Sequence, residues 1–187
     1  MGRWEPNARG RLELAGLELY GERGYEQTTV AEIARRAGLT ERTFFRHFAD
    51  KREVLFAGSA GLQDLLVSTV AGAPDSASPF DAVAAAIEAA ASRLEERRDY
   101  ARKRNAVIAA NAELRERELI KLASLAAAIA AELRERGVKE PAASLTAETG
   151  IAVFKVAFET WVAASDQVDF PATIRDSLEA LKAVAAG

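Results

Sequence analysis

Cysteine is absent from this sequence and histidine occurs once, at position 47. The first absence excludes a disulfide framework and any thiolate metal site. The second leaves too few imidazoles for a histidine metal cluster. Carboxylates are numerous but lie scattered along helix faces; those of "ELRERE" are spaced for surface ion pairing. No nucleophile–base pair stands out, so the expectation is a non-enzyme with no cofactor and no metal. Long apolar runs are also missing: none approaches the ~18 residues that a membrane-spanning helix needs. The start, "MGRWEPNARGR", lacks the apolar core of a signal peptide. These absences predict a soluble cytoplasmic protein with no membrane partner. Alternation of apolar and polar residues, the mark of a half-buried strand, is not found either.

What is present is helical periodicity and the means to bury it. Hydrophobic residues make up 49% of the chain, enough for a core in a domain of this length. The formal net charge of −3 argues against a nucleic-acid partner if taken as a sum. Its distribution says more. Residues 1–51 hold 9 basic against 8 acidic side chains, while residues 52–187 hold 16 against 20. Four of the early bases fall between Arg35 and Arg46.

Along the chain, Leu12, Ala15, Leu19 and Tyr20 form one stripe of a first helix, with Gly24 placed to end it. A short second helix starts at "TTVAEIARRAG". Thr29 is its N-cap and Glu32, three residues on, completes a capping box. Val30, Ile33, Ala34 and Ala37 are its apolar side. Gly38 breaks it, glycine being the residue that enters a left-handed turn at little cost. Thr40 caps a third helix reaching about His47. With Asp50 as a further cap, a single longer helix is predicted from Lys51 to about Ala71. "GAPDSASP" is then a loop. The remainder reads as helices near 79–97, 99–110, 112–136, 143–166 and 171–185. The fold class is all-α, with about nine helices: a three-helix N-terminal domain, residues 1–51, and a larger bundle, residues 52–187.

Two short helices joined by a glycine-containing turn have the geometry of a helix-turn-helix. In "GLTERTFFRHF", Phe44 and Phe48 are four apart and share the face that seats the helix on its neighbours. Arg42, Thr43 and Arg46 lie away from that face. A helix so arranged fits the ~12 Å major groove of DNA, where arginine pairs with guanine. Arg35 and Arg36 read as a solvated face. Arg3, Arg9 and Arg11 read as an unstructured terminus, with a minor-groove arm as the alternative.

The continuous stretch "GYEQTTVAEIARRAGLTERTFFRHFADKREVLF" resembles the DNA-binding domain of TetR-family (tetracycline-repressor-like) transcriptional regulators, and the resemblance spans residues 9–56. It implies a DNA-contact set of Thr29, Thr40, Arg42, Thr43, Phe45, Arg46, His47 and Lys51. Thr40, Arg42 and Thr43 would face bases or nearby phosphates, and Phe45 and His47 the sugar-phosphate backbone. Lys51 would hold a phosphate with help from the dipole of the helix that it begins. Two residues depart from the pattern. Phe45 replaces the commoner tyrosine and loses its hydroxyl, and Glu41 places an anion where a base is frequent.

The resemblance also implies a C-terminal bundle that binds a small effector and dimerises through its last two helices. Ile151, Phe154, Phe158 and Trp161, followed by Ile174, Leu178 and Leu181, supply apolar faces for a protomer core, a dimer contact, or both. Candidate effector-lining residues are Leu62, Leu66, Ile87, Leu94 and Val107. Ile108, Leu122, Phe154, Phe158 and Trp161 complete the set. The stretch "KRNAVIAANAELRERELIKLASLAAAIAAELRERG" is similar to the C-terminal domain of the subgroup containing the mycofactocin-system regulator, which implies an acyl-coenzyme-A-like ligand. Arg102, Lys103 and Arg104 would then meet a phosphate-bearing head group. Together these expectations describe a homodimeric repressor of an approximately palindromic double-stranded operator, released by an apolar effector. The helix Lys51–Ala71 is its expected lever. A helical scaffold without DNA binding is the alternative.

Overall fold

The computed structural model describes residues 7–165 and 168–187. Among them are nine α-helices and no strand. They are α1 (Ala8–Arg23), α2 (Val30–Arg36), α3 (Glu41–His47), α4 (Ser59–Ala71) and α5 (Pro79–Glu95), then α6 (Arg98–Ala110), α7 (Ala112–Glu135), α8 (Ala142–Ala163) and α9 (Phe170–Ala186). A 3-10 turn, Arg52–Phe56, stands between α3 and α4.

That turn corrects the expected single helix from Lys51 to Ala71. Asp50 does act as a cap, accepting from the backbone N–H groups of Arg52 and Glu53 at 2.8 and 3.2 Å. The turn that it starts packs Val54, Leu55 and Phe56 inward, and two turn residues, Ala57 and Gly58, separate it from α4. By length and composition alone Arg52–Ala71 is apolar enough to cross a bilayer, with a mean hydropathy of 1.4, but it is not one continuous helix.

The chain forms two compact units. The first runs to Ser59 and adds Lys103–Arg115, the second half of α6 and the start of α7. Residues 52–56, expected to begin the larger bundle, lie in this first unit. Its core is built from Leu12, Leu19, Tyr20, Ile33, Phe44 and Val54, each almost completely buried. Gly16 permits the 3-10 turn to press against α1: a Cβ there would stand 2.6 Å from Val54 Cγ1. Arg104 on α6 donates to the Leu55 carbonyl at 2.6 Å and covers the Phe56 ring. Arg9 and Arg11, expected in an unstructured terminus, belong to α1 and donate to the carbonyls of Ala57 and Ala37. Arg3 lies outside the described residues.

The second unit, Ala60–Arg102 with Glu116–Gly187, has α5, α8 and α9 at its centre. Alanines at 82, 86, 90 and 91 on α5 and at 143, 147 and 157 on α8 are buried and let the helix axes approach closely. The rings gather at one end of this core. Trp161 and Phe170 stack at 4.4 Å between centroids with an interplanar angle of 10°, and Phe154 and Phe158 complete the cluster. Aromatic pairs of this kind each contribute about 0.5–1.5 kcal/mol beyond the area that they bury.

Candidate nucleic-acid interface

The local signals around α2 and α3 act as their chemistry requires. Thr29 accepts from the Glu32 backbone N–H while the Glu32 carboxylate accepts from that of Thr29, closing the capping box. These bonds hold the Glu32 carboxyl below its ordinary range. Gly38 sits at φ 66°, where a side chain is strained, and turns the chain between the helices. Thr40 then caps α3 by accepting from Thr43 N, and its hydroxyl lies 3.1 Å from that of Thr43.

The short helix α3 separates its side chains into two sets. Phe44 and Phe48 are 0% and 4% exposed, with ring centroids 5.5 Å apart. Thr40, Arg42, Phe45 and Arg46 are exposed and Thr43 half-buried. Phe45 is 56% exposed although its ring meets Phe44 edge-on at 5.5 Å. An exposed phenyl between two arginines is an unusual surface for a free helix, and a useful one against sugar carbons and phosphates. His47 is half-buried, and its Nε2 has no hydrogen-bond partner within the protein. Burial, then the charges of Arg46 and Arg9, hold its pKa below the ordinary imidazole value.

Lys51, expected to hold a phosphate, is engaged within the protein. Its ammonium donates to the carbonyls of Tyr25, Glu26 and Thr28 at 2.9, 3.3 and 3.1 Å. It also stands 4.4 Å over the Tyr25 ring. Three N–H donors meet three acceptors, so the side chain fastens the α1–α2 connection. The Tyr20 hydroxyl returns a bond to the Lys51 carbonyl. Tyr25 is buried beside it, and burial, aided by the charge of Glu113, pushes its phenol up to about 12. Lysine in a loop gives no periodic signal, which is why this role escapes a reading of the sequence.

Away from α3 the first unit is ion-paired. Arg36 meets Glu22 at 2.8 Å and Glu18 at 3.3 Å, so it is engaged where a purely solvated face was expected. Arg52 bridges Asp50 and Glu113. Among the described residues no three His, Cys, Asp or Glu side chains gather as a metal site.

Residues 14–57 match the family described as bacterial regulatory proteins, tetR family. Residues 77–186, more than half of the chain, match the MftR C-terminal domain. The chain belongs to the TetR family. As a TetR-family protein it is 35% identical over 86 residues to the HTH-type transcriptional regulator TcmR of Streptomyces glaucescens, across 46% of this chain and 38% of that protein. It is 39% identical over 62 residues to the HTH-type transcriptional activator FasR of Mycolicibacterium smegmatis, across 33% and 28%. The matched stretches therefore span well under half the length of these curated relatives. Among solved structures, FadR from Bacillus subtilis in complex with stearoyl-CoA is similar with a TM-score of 0.65, at 20% identity and 91% and 95% coverage of the two chains. FadR from Thermus thermophilus in complex with lauroyl-CoA is similar with a TM-score of 0.56, at 23% identity and 91% coverage of each. At such identities the likeness is one of fold.

The residues expected to line an effector site in this TetR-family chain divide between its two units. Val107 and Ile108 lie in the first, where Val107 faces a groove of about 680 Å³ shared with Leu17, Tyr20 and Tyr25. The other eight lie in the second. Leu66, Ile87, Phe154 and Trp161 are buried there, and Leu62, Leu94, Leu122 and Phe158 pack partly buried around them. Of the expected head-group residues, Arg104 is held by Leu55 and Phe56.

Sequence periodicity also misses the outer face of α8. Its rings and Ile151 turn into the protomer's own core, as do Ile174 and Leu178 of α9. The outward face carries Leu145, Ala152, Val156 and Ala163, all exposed. Their spacings of seven, four and seven residues are those with which two helices pack along a seam.

Proposed function

We propose that this TetR-family chain is a homodimeric, ligand-responsive DNA-binding regulator that represses transcription. The observation that carries the reading is the division of α3: two buried rings anchor it while Arg42, Thr43, Phe45 and Arg46 face outward from an unpaired helix surface. In this reading Arg42 and Thr43 meet base edges, Thr29, Thr40 and Arg46 meet phosphates or bases, and Phe45 and His47 pack on the backbone. Lys51 supports binding by fixing the connection before Thr29. Functionally, residues 1–51 make the DNA-binding domain and residues 52–187 the effector and dimerisation domain.

The seam Leu145–Ala163 on α8, with the exposed Val184 on α9, is the face offered to a second copy, and a dimer carries two α3 helices for an approximately palindromic operator. The apolar, aromatic core of the second unit suits an apolar or acyl-CoA-like effector. The mechanical link in this reading is α6, which contributes residues to both units, whereas the expected lever consists of a 3-10 turn and a separate α4. Arg98–Arg102 of α6 belong to the second unit and Lys103–Ala110 to the first. An effector that prefers one geometry of that helix weakens DNA binding, and DNA weakens effector binding by the same factor, typically ~1–3 kcal/mol.

The test is binding of the purified protein to duplexes selected from a random pool, measured against salt. A selected palindrome, a dimer on DNA and a steep loss of affinity with salt are expected. Absence of any selected sequence with a flat salt response would leave a helical scaffold as the better reading.

A further inference from the structure

The second unit's core contains a polar group that its packing does not use. Trp161 is 0% exposed, at the centre of the cluster with Phe158 and Phe170, and its indole Nε1 has no hydrogen-bond partner within the protein. Buried indole N–H groups ordinarily find an acceptor. Nothing in the stacking geometry requires a tryptophan here: Phe170 lies face to face with the ring at 4.4 Å, an arrangement that a phenylalanine would also satisfy. The core around it is built of aliphatic and aromatic side chains, with the Arg98 guanidinium at its edge. It holds a donor without holding an acceptor for it.

The route to this donor is marked by Arg98. Its guanidinium lies 5.8 Å over the Trp161 ring and donates to the carbonyls of Trp161 and Ala164 at 2.9 and 2.8 Å. The same residue lines a surface cleft of about 860 Å³, with Glu95, Arg97, Tyr100, Arg102 and Asp169 also on its walls. A polar cleft therefore adjoins an apolar ring cluster across a single side chain. That is the setting for a molecule with an apolar part and one polar atom.

We propose that Trp161 donates its indole N–H to a carbonyl oxygen of the effector, whose hydrocarbon part packs against Phe154 and Phe158. The inference rests on the proposed effector role of this core and names the class of molecule that it takes. A carbonyl is the acceptor of choice because it brings no donor of its own. A hydroxyl would bring an O–H donor of its own and demand an acceptor that the cluster does not offer, and a carboxylate would have to shed its hydration. Apolar ketones, esters and thioesters satisfy the site; hydrocarbons fill the same volume and leave the donor unanswered.

The experiment compares 2-decanone with decane as probes on the full-length protein. Of the two tryptophans, Trp4 and Trp161, the first is replaced (Trp4→Phe) so that one ¹⁵N-indole resonance remains. The expected result is at least about fivefold tighter binding of the ketone, with a downfield shift of the indole proton seen for the ketone alone. Trp161→Phe should retain decane binding and abolish the ketone's advantage. Equal affinities for both probes with an unmoved indole resonance would overturn the proposal while leaving an effector core in place. Failure of either probe to bind, with effector-independent operator affinity, would remove the effector reading and this inference with it. Should Trp161→Phe fail to fold, the resonance in the Trp4→Phe protein decides alone.

Discussion

A Cβ added to Gly150 would stand 2.3 Å from Val83 Cγ1, so α8 and α5 touch through a glycine. Val83 is 1% exposed and β-branched, with no room to retreat. Gly150→Ala is expected to destabilise the protein by about 1–3 kcal/mol, as overpacked cores are, despite the better helix propensity of alanine. Urea unfolding measures this. Adding Val83→Ala should return part of the loss, and a Gly150→Ala protein as stable as the parent would show that the helices separate freely.

Arg42 is exposed on α3. Arg42→Ala is expected to leave the melting temperature unchanged and to weaken binding to a selected operator by ~1–3 kcal/mol. Affinity for random DNA should fall much less. Equal losses on both duplexes would reassign Arg42 to a phosphate.

Lys51→Met separates two possible tasks. If its three carbonyl contacts and the Tyr25 ring are what matter, thermal stability falls by about 1–3 kcal/mol, because two half-buried carbonyls and one exposed carbonyl lose their donor. Operator affinity then drops for every sequence while the salt dependence keeps its slope. A stable variant whose salt slope is flatter by about one unit would mean that the ammonium leaves the loop to neutralise a phosphate.

For His47 the folded protein disfavours the charged ring, through burial and the neighbouring Arg46 and Arg9. The unfolded chain thus binds the proton more readily. No stability is lost at pH values above the ordinary imidazole range, and a cost grows as pH falls through that range toward the lower folded value. Melting temperatures across pH 5–8, set against those of His47→Gln, check this: the parent alone should show this segment of the decline. Parallel curves for the two proteins would place the titration elsewhere.

What could be read from the sequence was what short segments decide among themselves. Thr29 and Glu32, Gly38, then Thr40 mark helix ends within a few residues, and the alternation of Phe44 and Phe48 with Arg42 and Arg46 separates the two faces of α3. The long-range contacts were not legible. "REVLFAG" is as compatible with an α-helix as with a 3-10 turn, and packing of Val54 against Gly16 decides the matter. The return of residues 103–115 to the first unit comes through contacts far apart in sequence, such as Arg104 to Leu55 and Arg52 to Glu113. On α8 the periodicity marked the ringed stripe. That alanines at 152 and 163 form a second, outward stripe required knowing which stripe the protomer keeps.

Glu95 and Arg98 lie three residues apart, yet they hold opposite sides of one loop. The Glu95 carboxylate accepts from Phe170 N at the start of α9, and Arg98 donates to carbonyls at the end of α8. Each charge has the sign that its helix terminus favours. The bend between α5 and α6 thereby acts as a spacer of set length. Inserting or deleting one residue at positions 96–97 would slip one grip while the other held, whereas the loop at 72–78 is gripped by a single side chain, Arg136, which donates to the carbonyls of Ala71, Ala73 and Pro74 and leaves positions 75–77 beyond its reach. Drift in chain length among close kin should accordingly spare the first bend and collect in the second.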